Sequence, residues 1–132
     1  MARRLRAITM FANDLDSALA AWRSGIGLIA SELGPTTDSE ERRATIVVAD
    51  VDLDISSPAT PTSPLARVIG ERGEGLFSLT IEVDDFDTLV AGLRAKGVVM
   101  SAPEETRDGL RSVMIDRVSS RGVPIRLVEI KR

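Results

Sequence analysis

The stretch Leu5-Arg6-Ala7-Ile8-Thr9-Met10-Phe11-Ala12-Asn13-Asp14-Leu15-Asp16 returns in pattern about 71 residues later as Leu76-Phe77-Ser78-Leu79-Thr80-Ile81-Glu82-Val83-Asp84-Asp85-Phe86-Asp87. Each copy alternates like a strand, passes through a polar turn and starts a helix. The helices match as well. Leu15, Ala18, Leu19 and Trp22 have the same relative spacing as Phe86, Leu89, Val90 and Leu93, which gives each helix one apolar stripe to lay on a sheet. Trp22, the single tryptophan, is therefore expected in the core. Asn13 or Asp14, and Asp84 or Asp85, suit the N-caps, and Gly25 and Gly97 suit the stops.

Outward from this repeat, strand-like runs follow each helix: Gly27–Leu33, Arg43–Ala49 and Val51–Ser56 in the first half, then Val98–Ser101, Leu110–Asp116 and Val123–Ile130 in the second. The order is βαβββ twice. A ferredoxin-like α+β sandwich also repeats a strand–helix–strand unit, but it lacks the extra strand after each repeat. The expected fold is thus α+β, two βαβββ modules forming a cupped, mostly antiparallel eight-stranded sheet with helices on its outer face. One domain over 1–132 divides into module one (1–57), a connector (58–74) and module two (75–132). Within the connector, Ser57-Pro58-Ala59-Thr60-Pro61-Thr62-Ser63-Pro64 is turn-rich, and Ser63-Pro64 starts a short helix through Leu65, Val68 and Ile69.

Composition narrows the chemistry. There is no cysteine, histidine or tyrosine, so thiolate and imidazole metal ligands are missing and proton transfer falls to carboxylates, Lys, Arg, hydroxyls or water. A net charge of −3 provides no basic field for nucleic acid. The basic start Met1-Ala2-Arg3-Arg4-Leu5-Arg6 leads into no signal-like apolar run, and no segment approaches the about 20 apolar residues of a membrane span. A cytoplasmic protein with no membrane or nucleic-acid partner is expected.

Alternation also sorts the strand side chains. Asp52, Asp54 and Ser56 face away from Val51, Leu53 and Ile55. Ser78, Thr80 and Glu82 face away from Leu79, Ile81 and Val83. Ala7, Thr9 and Phe11 oppose Ile8 and Met10, and Arg126 opposes Ile125 and Leu127. The apolar sets are expected under the helices and the others on the concave face.

The run Ser63-Pro64-Leu65-Ala66-Arg67 … Glu71-Arg72-Gly73-Glu74-Gly75-Leu76, continuing into Leu79-Thr80-Ile81-Glu82-Val83-Asp84-Asp85, resembles methylmalonyl-CoA epimerases of the vicinal oxygen chelate superfamily. The end, Ser119-Ser120-Arg121-Gly122-Val123-Pro124-Ile125-Arg126-Leu127-Val128-Glu129, is similar too, as is the opening through Asn13-Asp14-Leu15-Asp16 and Gly25-Ile26-Gly27-Leu28. The resemblance implies four metal-ligand positions, which fall on Ala7, Asp54, Ser78 and Arg126. Asp54 lies 47 residues after Ala7, and Arg126 lies 48 after Ser78. Alanine offers no donor, serine is a poor ligand and guanidinium has no lone pair, so no metal and no cofactor are expected.

Two roles follow for the charged positions. Asp54 and Arg126 can pair across the cup, or Arg126 can receive an anionic ligand such as a carboxylate or thioester-linked acid. The resemblance implies an acidic or acyl-CoA-like small molecule and a homodimer. For chemistry of the epimerase type, Arg126 would be the electrophile, and the candidate bases are Asp54, Glu82 and Asp38 in the acidic loop Asp38-Ser39-Glu40-Glu41. Thr9, Phe11, Asp52, Thr80, Ala7 and Ser78 would line the ligand, and Arg107 or Arg111 on the second rim could meet a phosphate. Three functions stay open: a metal-independent epimerase, isomerase or lyase; a binder that sequesters a small molecule, as bleomycin-resistance proteins do; and a non-catalytic scaffold. Three phenylalanines and one tryptophan give few aromatic walls, which weighs against a binder of bulky drugs.

Overall fold

A computed structural model describes residues 2–25, 31–37, 40–106 and 108–130. The strands are β1 (Ala2–Phe11), β2 (Ser31–Thr37), β3 (Glu41–Val48), β4 (Val51–Pro58), β5 (Gly75–Val83), β6 (Glu104–Glu105), β7 (Arg111–Ile115) and β8 (Ile125–Glu129). The helices are α1 (Leu15–Ala20), which continues as a π-helical turn over Ala21–Gly25, α2 (Pro64–Arg72) and α3 (Phe86–Ala95). The fold is α+β. Among the described residues no helix is long and apolar enough to cross a membrane.

The chain divides into two compact units, Ile8–Phe77 and Met1–Ala7 with Ser78–Arg132. In the first, β2 pairs with β3 and β3 with β4, all antiparallel. The β2–β3 register slips between Leu33 and Thr36, at Gly34-Pro35, where proline has no N–H to give the ladder. The end of β1 joins β4 through the bond from the Ala12 N–H to the Ser56 carbonyl, 2.9 Å. The α1 stripe packs as its spacing predicts. Leu15 and Leu19, with partly buried Ala18 and Trp22, meet Ala44, Ile46, Leu53 and Ile55, and Ile8 and Met10 of β1 close the cluster. Burying each large aliphatic side chain there contributes about 1.5–3 kcal/mol. Helix α2 forms where Ser63-Pro64 announces it. It buries Leu65 and Ile69 one turn apart, and it stops at Gly73, whose φ of 82° suits a residue without Cβ.

In the second unit β5 pairs with β8 in parallel, β8 with β7 antiparallel, and β7 with β6 antiparallel. Phe86 and Val90 of α3, with Leu89 and Leu93, cover Val83, Val113 and Leu127. Asp14 and Asp85 occupy the N-cap positions of α1 and α3, and Gly97, at φ 85°, follows the end of α3.

Two expectations need correction. The β5–β8 pair departs from an antiparallel pattern. The strand expected over Val98–Ser101 is reduced to an isolated bridge, Met100 to Ile115. The Met114 N–H there donates to the Ser101 hydroxyl (2.9 Å) rather than to a strand carbonyl, and Pro103 offers no N–H, so pairing resumes only as the two-residue β6. Among the described residues, seven strands therefore have five residues or more, and the eighth is a stub. The first strand after α1 is described from Ser31, so its expected beginning at Gly27 lies outside the described residues.

Candidate functional site

The polar face of the second unit follows from register. Across β8, Arg126 lies opposite Thr80 of β5 and Met114 of β7, while Leu127 lies opposite Ile81 and Val113. The Leu127 row packs under α3. By alternation, Ser78, Thr80, Glu82, Ser112, Met114 and Arg126 share the face turned away from that helix. Ser78 and Ser112 are buried, at 3% and 0% exposure, so these hydroxyls are not surface decoration.

Arg126 is half-buried, and its Nη1 donates to the Ser112 hydroxyl at 2.9 Å. The Ser112 hydroxyl in turn points its proton at the Glu104 carbonyl, 3.4 Å away, so it accepts from one side and faces an acceptor on the other. Within this unit, and among the described residues, no carboxylate pairs with Arg126; the acids that form ion pairs there are committed to other arginines. Glu82 stands on the same face with 12% side-chain exposure, and Arg4 approaches it at 3.6 Å. Two residues along β5 and one strand across, its Cα lies about 8 Å from that of Arg126 by strand geometry. Ala7, in the same unit, is buried at 7% exposure.

Arg111 turns the other way. Its Nη1 donates to Asp87 (2.7 Å) and its Nε to Glu129 (2.9 Å), while its guanidinium lies 5.2 Å from the Phe86 ring centroid. The hydrogen bond to Asp87, and then that to Glu129, raise its pKa further above the ordinary arginine value. Glu129 is held below the ordinary carboxylate value, first by the Arg111 N–H at 2.6 Å and then by the Arg111 side chain. A recess of about 430 Å³ opens beside this cluster, lined by Phe86, Leu110 and Ile130 among others, and one of about 260 Å³ runs along α3. Both lie on the helix side of the strands, away from the Arg126 face. In the larger one the single described cation already has two carboxylates.

The first unit has a corresponding polar face. Asp54 pairs in register with Thr45, whose hydroxyl donates to its Oδ1 at 2.6 Å. Asp52, half-buried, and Ser56, buried, alternate on the same side, opposite Leu53 and Ile55. Thr9 is half-buried on β1. Phe11 stacks on Phe77 with centroids 4.2 Å apart, and Arg72 lies 4.6 Å from the Phe77 centroid. Asp38 and Arg107 lie outside the described residues. Asp54 belongs to the first unit and Arg126 to the second.

At the four positions that the resemblance assigns to a metal, the donor chemistry does not fit a divalent ion. Ala7 presents a buried methyl, Ser78 a neutral hydroxyl and Arg126 a cation, which leaves Asp54 as a single carboxylate donor. Two residues escaped the sequence expectations, Ser112 and Thr45. Alternation against Val113 and Ile115, or against Ala44 and Ile46, would have put both hydroxyls on the polar faces.

No curated protein sequence matches the chain. Solved structures do. A hypothetical protein from Bacillus halodurans superposes with a TM-score of 0.82 at 21% identity, covering 98% of this chain and 95% of the other. The methylmalonyl-CoA epimerase of Mycobacterium tuberculosis gives 0.75 at 24% identity over 97% and 88%. A Streptomyces coelicolor methylmalonyl-CoA epimerase in complex with 2-nitronate-propionyl-CoA gives 0.77 at 21% identity over 100% of both chains. Such identities speak for a shared fold. The family model of the glyoxalase/bleomycin resistance protein/dioxygenase superfamily matches residues 8–114, most of the chain and both strand–helix repeats, and on that match the chain belongs to this superfamily.

Proposed function

We propose that the chain is a metal-independent enzyme for a small carbonyl or acyl-thioester compound, an epimerase, isomerase or lyase, with Arg126 as the group that receives the substrate's negative charge. The observation that carries this is a half-buried guanidinium held by a neutral hydroxyl on a polar face, with no carboxylate of its own unit beside it among the described residues. Desolvating a cation without a counter-ion is costly, and the cost is recovered when an anion arrives. The acyl-CoA ligand of the Streptomyces coelicolor neighbour supports a thioester-linked acid as the substrate type.

For proton abstraction next to a thioester carbonyl, charge builds on the carbonyl oxygen. A preorganised guanidinium at that oxygen stabilises the transition state by about 3–4 kcal/mol. A carboxylate takes the proton, with Asp54, Glu82 and Asp38 as the candidates, and a proton delivered to the opposite face of the planar enolate, from a second of these acids or from water, gives the epimer. Ser78 and Thr80 beside Arg126 are the proposed ligand contacts in this unit; Thr9, Phe11 and Asp52 are the candidates on the polar face of the first unit. Arg111 is set apart from them by its two carboxylates.

Solvent-deuterium entry into methylmalonyl-CoA tests this directly. Exchange should persist in chelator, be lost in Arg126→Ala, and be lost in whichever of Asp54→Ala, Glu82→Ala and Asp38→Ala removes the base. Exchange that chelator abolishes, or that survives Arg126→Ala, overturns the proposal. The alternative is a binder that holds a small acid without chemistry. It is favoured by Arg4, which engages the base candidate on the Arg126 face. Tight binding of methylmalonyl-CoA with no exchange would select it.

A further inference from the structure

We propose that Ser112 is a positioning residue that aims Arg126 at a planar, singly charged acid group, an inference that rests on the anion-receiving role proposed above. Ser112 is fully buried, and its hydroxyl is used on both sides, accepting from Arg126 Nη1 at 2.9 Å and facing the Glu104 carbonyl at 3.4 Å. That carbonyl belongs to β6, which is held to β7 by the register Glu104 to Ser112. The hydroxyl is therefore fixed by backbone, and it fixes one nitrogen of a side chain that otherwise has several rotamers.

With Nη1 tied to Ser112, the Nε–Nη2 edge of the guanidinium is the pair of parallel donors left to present. Two N–H groups side by side match the two oxygens of one carboxylate. The register neighbours of Arg126 are Thr80 and Met114, a hydroxyl and an uncharged thioether, so no second cation stands beside it on β5 or β7. A phosphate dianion would bring a second charge and further oxygens with no donor to meet them. The geometry thus selects a carboxylate, or the carboxylate-like edge of an enolised acid, over a tetrahedral dianion. Ser112 contributes direction rather than charge.

The test uses the full chain and two probes, propionate and inorganic phosphate, titrated while the arginine side-chain N–H resonances are followed by NMR. In the wild type the Arg126 Nε–H signal should shift with propionate, which should bind at least about tenfold more tightly than phosphate. Ser112→Ala should weaken propionate about tenfold and leave phosphate nearly unchanged, so that the preference collapses. Ser112→Thr keeps a hydroxyl on β7 and should restore the Nε–H shift. If Ser112→Ala keeps both the preference and the signal while Arg126→Ala loses propionate, the positioning role is wrong and the anion site stands. If propionate binds the wild type and Arg126→Ala alike, or neither, the anion site itself is wrong and this inference falls with it.

Discussion

Two arginines on neighbouring strands of the same unit, Arg111 on β7 and Arg126 on β8, meet opposite fates. Arg111 lies on the α3 side, with two carboxylates within 3 Å and an aromatic ring beneath it. Arg126 lies on the other side with a serine hydroxyl. The first has its charge balanced by its own chain, so little is gained by adding an anion. The second is more buried and, among the described residues of its own unit, has no carboxylate, so an anion bound there would gain the full charge-assisted contact. The same side chain is tied into a charge cluster on one face and, under the proposed function, is receptive on the other; among the described residues of this unit, the difference lies in the carboxylates around it.

The largest effect should come from truncating each in turn. Arg126→Ala should lower kcat/KM for the proposed exchange by about 100-fold or more, as expected for loss of one preorganised donor to a developing oxyanion. Its urea midpoint should move little, because no carboxylate of its own unit is stranded. Arg111→Ala should do the reverse. It leaves exchange near the wild-type rate and lowers the urea midpoint, since Asp87 and Glu129 then face each other without a cation. If both substitutions act alike on exchange, the distinction between the two faces is lost.

A second experiment converts one arginine into the likeness of the other. Thr80 is the register neighbour of Arg126 on β5. Thr80→Glu places a carboxylate where Arg111 has one, and internal pairing should weaken an acid ligand by about tenfold, the cost of competing with one charged hydrogen bond. Thr80→Gln, of the same length without the charge, should change affinity much less. Calorimetry on the two variants separates charge competition from bulk.

Part of this contrast is written locally in the sequence, and part of it depends on partners far apart in the chain. The two strand–helix repeats were visible because period-two alternation, a 3.6-residue stripe and N-cap aspartates are local signals, and Leu15, Leu19, Phe86 and Val90 are buried as those signals require. Helix α2 was visible for the same reason, through Ser63-Pro64. The parallel β5–β8 pair was not, because strand direction is settled by partners far apart in the chain. Nor was the loss of a strand at Val98–Ser101, where a Ser101 hydroxyl replaces a ladder carbonyl. At the site, sequence placed Arg126 on the polar face through alternation, but it could not separate Arg126 from Arg111. Charge is written in the sequence, whereas the partners Asp87, Glu129 and Ser112 come from three different elements. The last of these needed the β7 register to be noticed.

Acid should reach the two arginines differently. The folded-state pKa of Glu129 is depressed by Arg111, so the contribution of this contact is present above the unfolded carboxylate value and is lost as pH falls through the folded one. The loss should begin below about pH 4.5, where the unfolded chain starts to take up the proton first. Glu129→Gln should flatten that part of the stability–pH curve measured by urea unfolding. The Arg126–Ser112 contact has no titrating partner, so Ser112→Ala should leave the slope of the curve unchanged between pH 3 and 5. Equal slopes in wild type and Glu129→Gln would mean that the Arg111 cluster is solvated rather than paired.

The smallest effect concerns the arginines at the start of β1. Arg3 meets Asp84 at 3.1 Å, Arg4 meets Glu82 at 3.6 Å and Arg6 meets Asp108 at 2.7 Å, all within the second unit. Arg3 and Arg4 keep 55% and 40% of their side chains exposed, so such pairs contribute about 0–1 kcal/mol each and are screened by salt. Raising salt from 0.05 to 0.5 M should speed amide hydrogen exchange at the start of β1 a few-fold and leave the buried Val113 and Val128 amides unchanged. The Arg4–Glu82 pair gives this measurement its bearing on function, because screening it frees the carboxylate on the Arg126 face. If Glu82 is the base, proton exchange at saturating substrate should rise with salt while binding at Arg126 weakens. If both fall together, Glu82 only anchors β1 and is not the base.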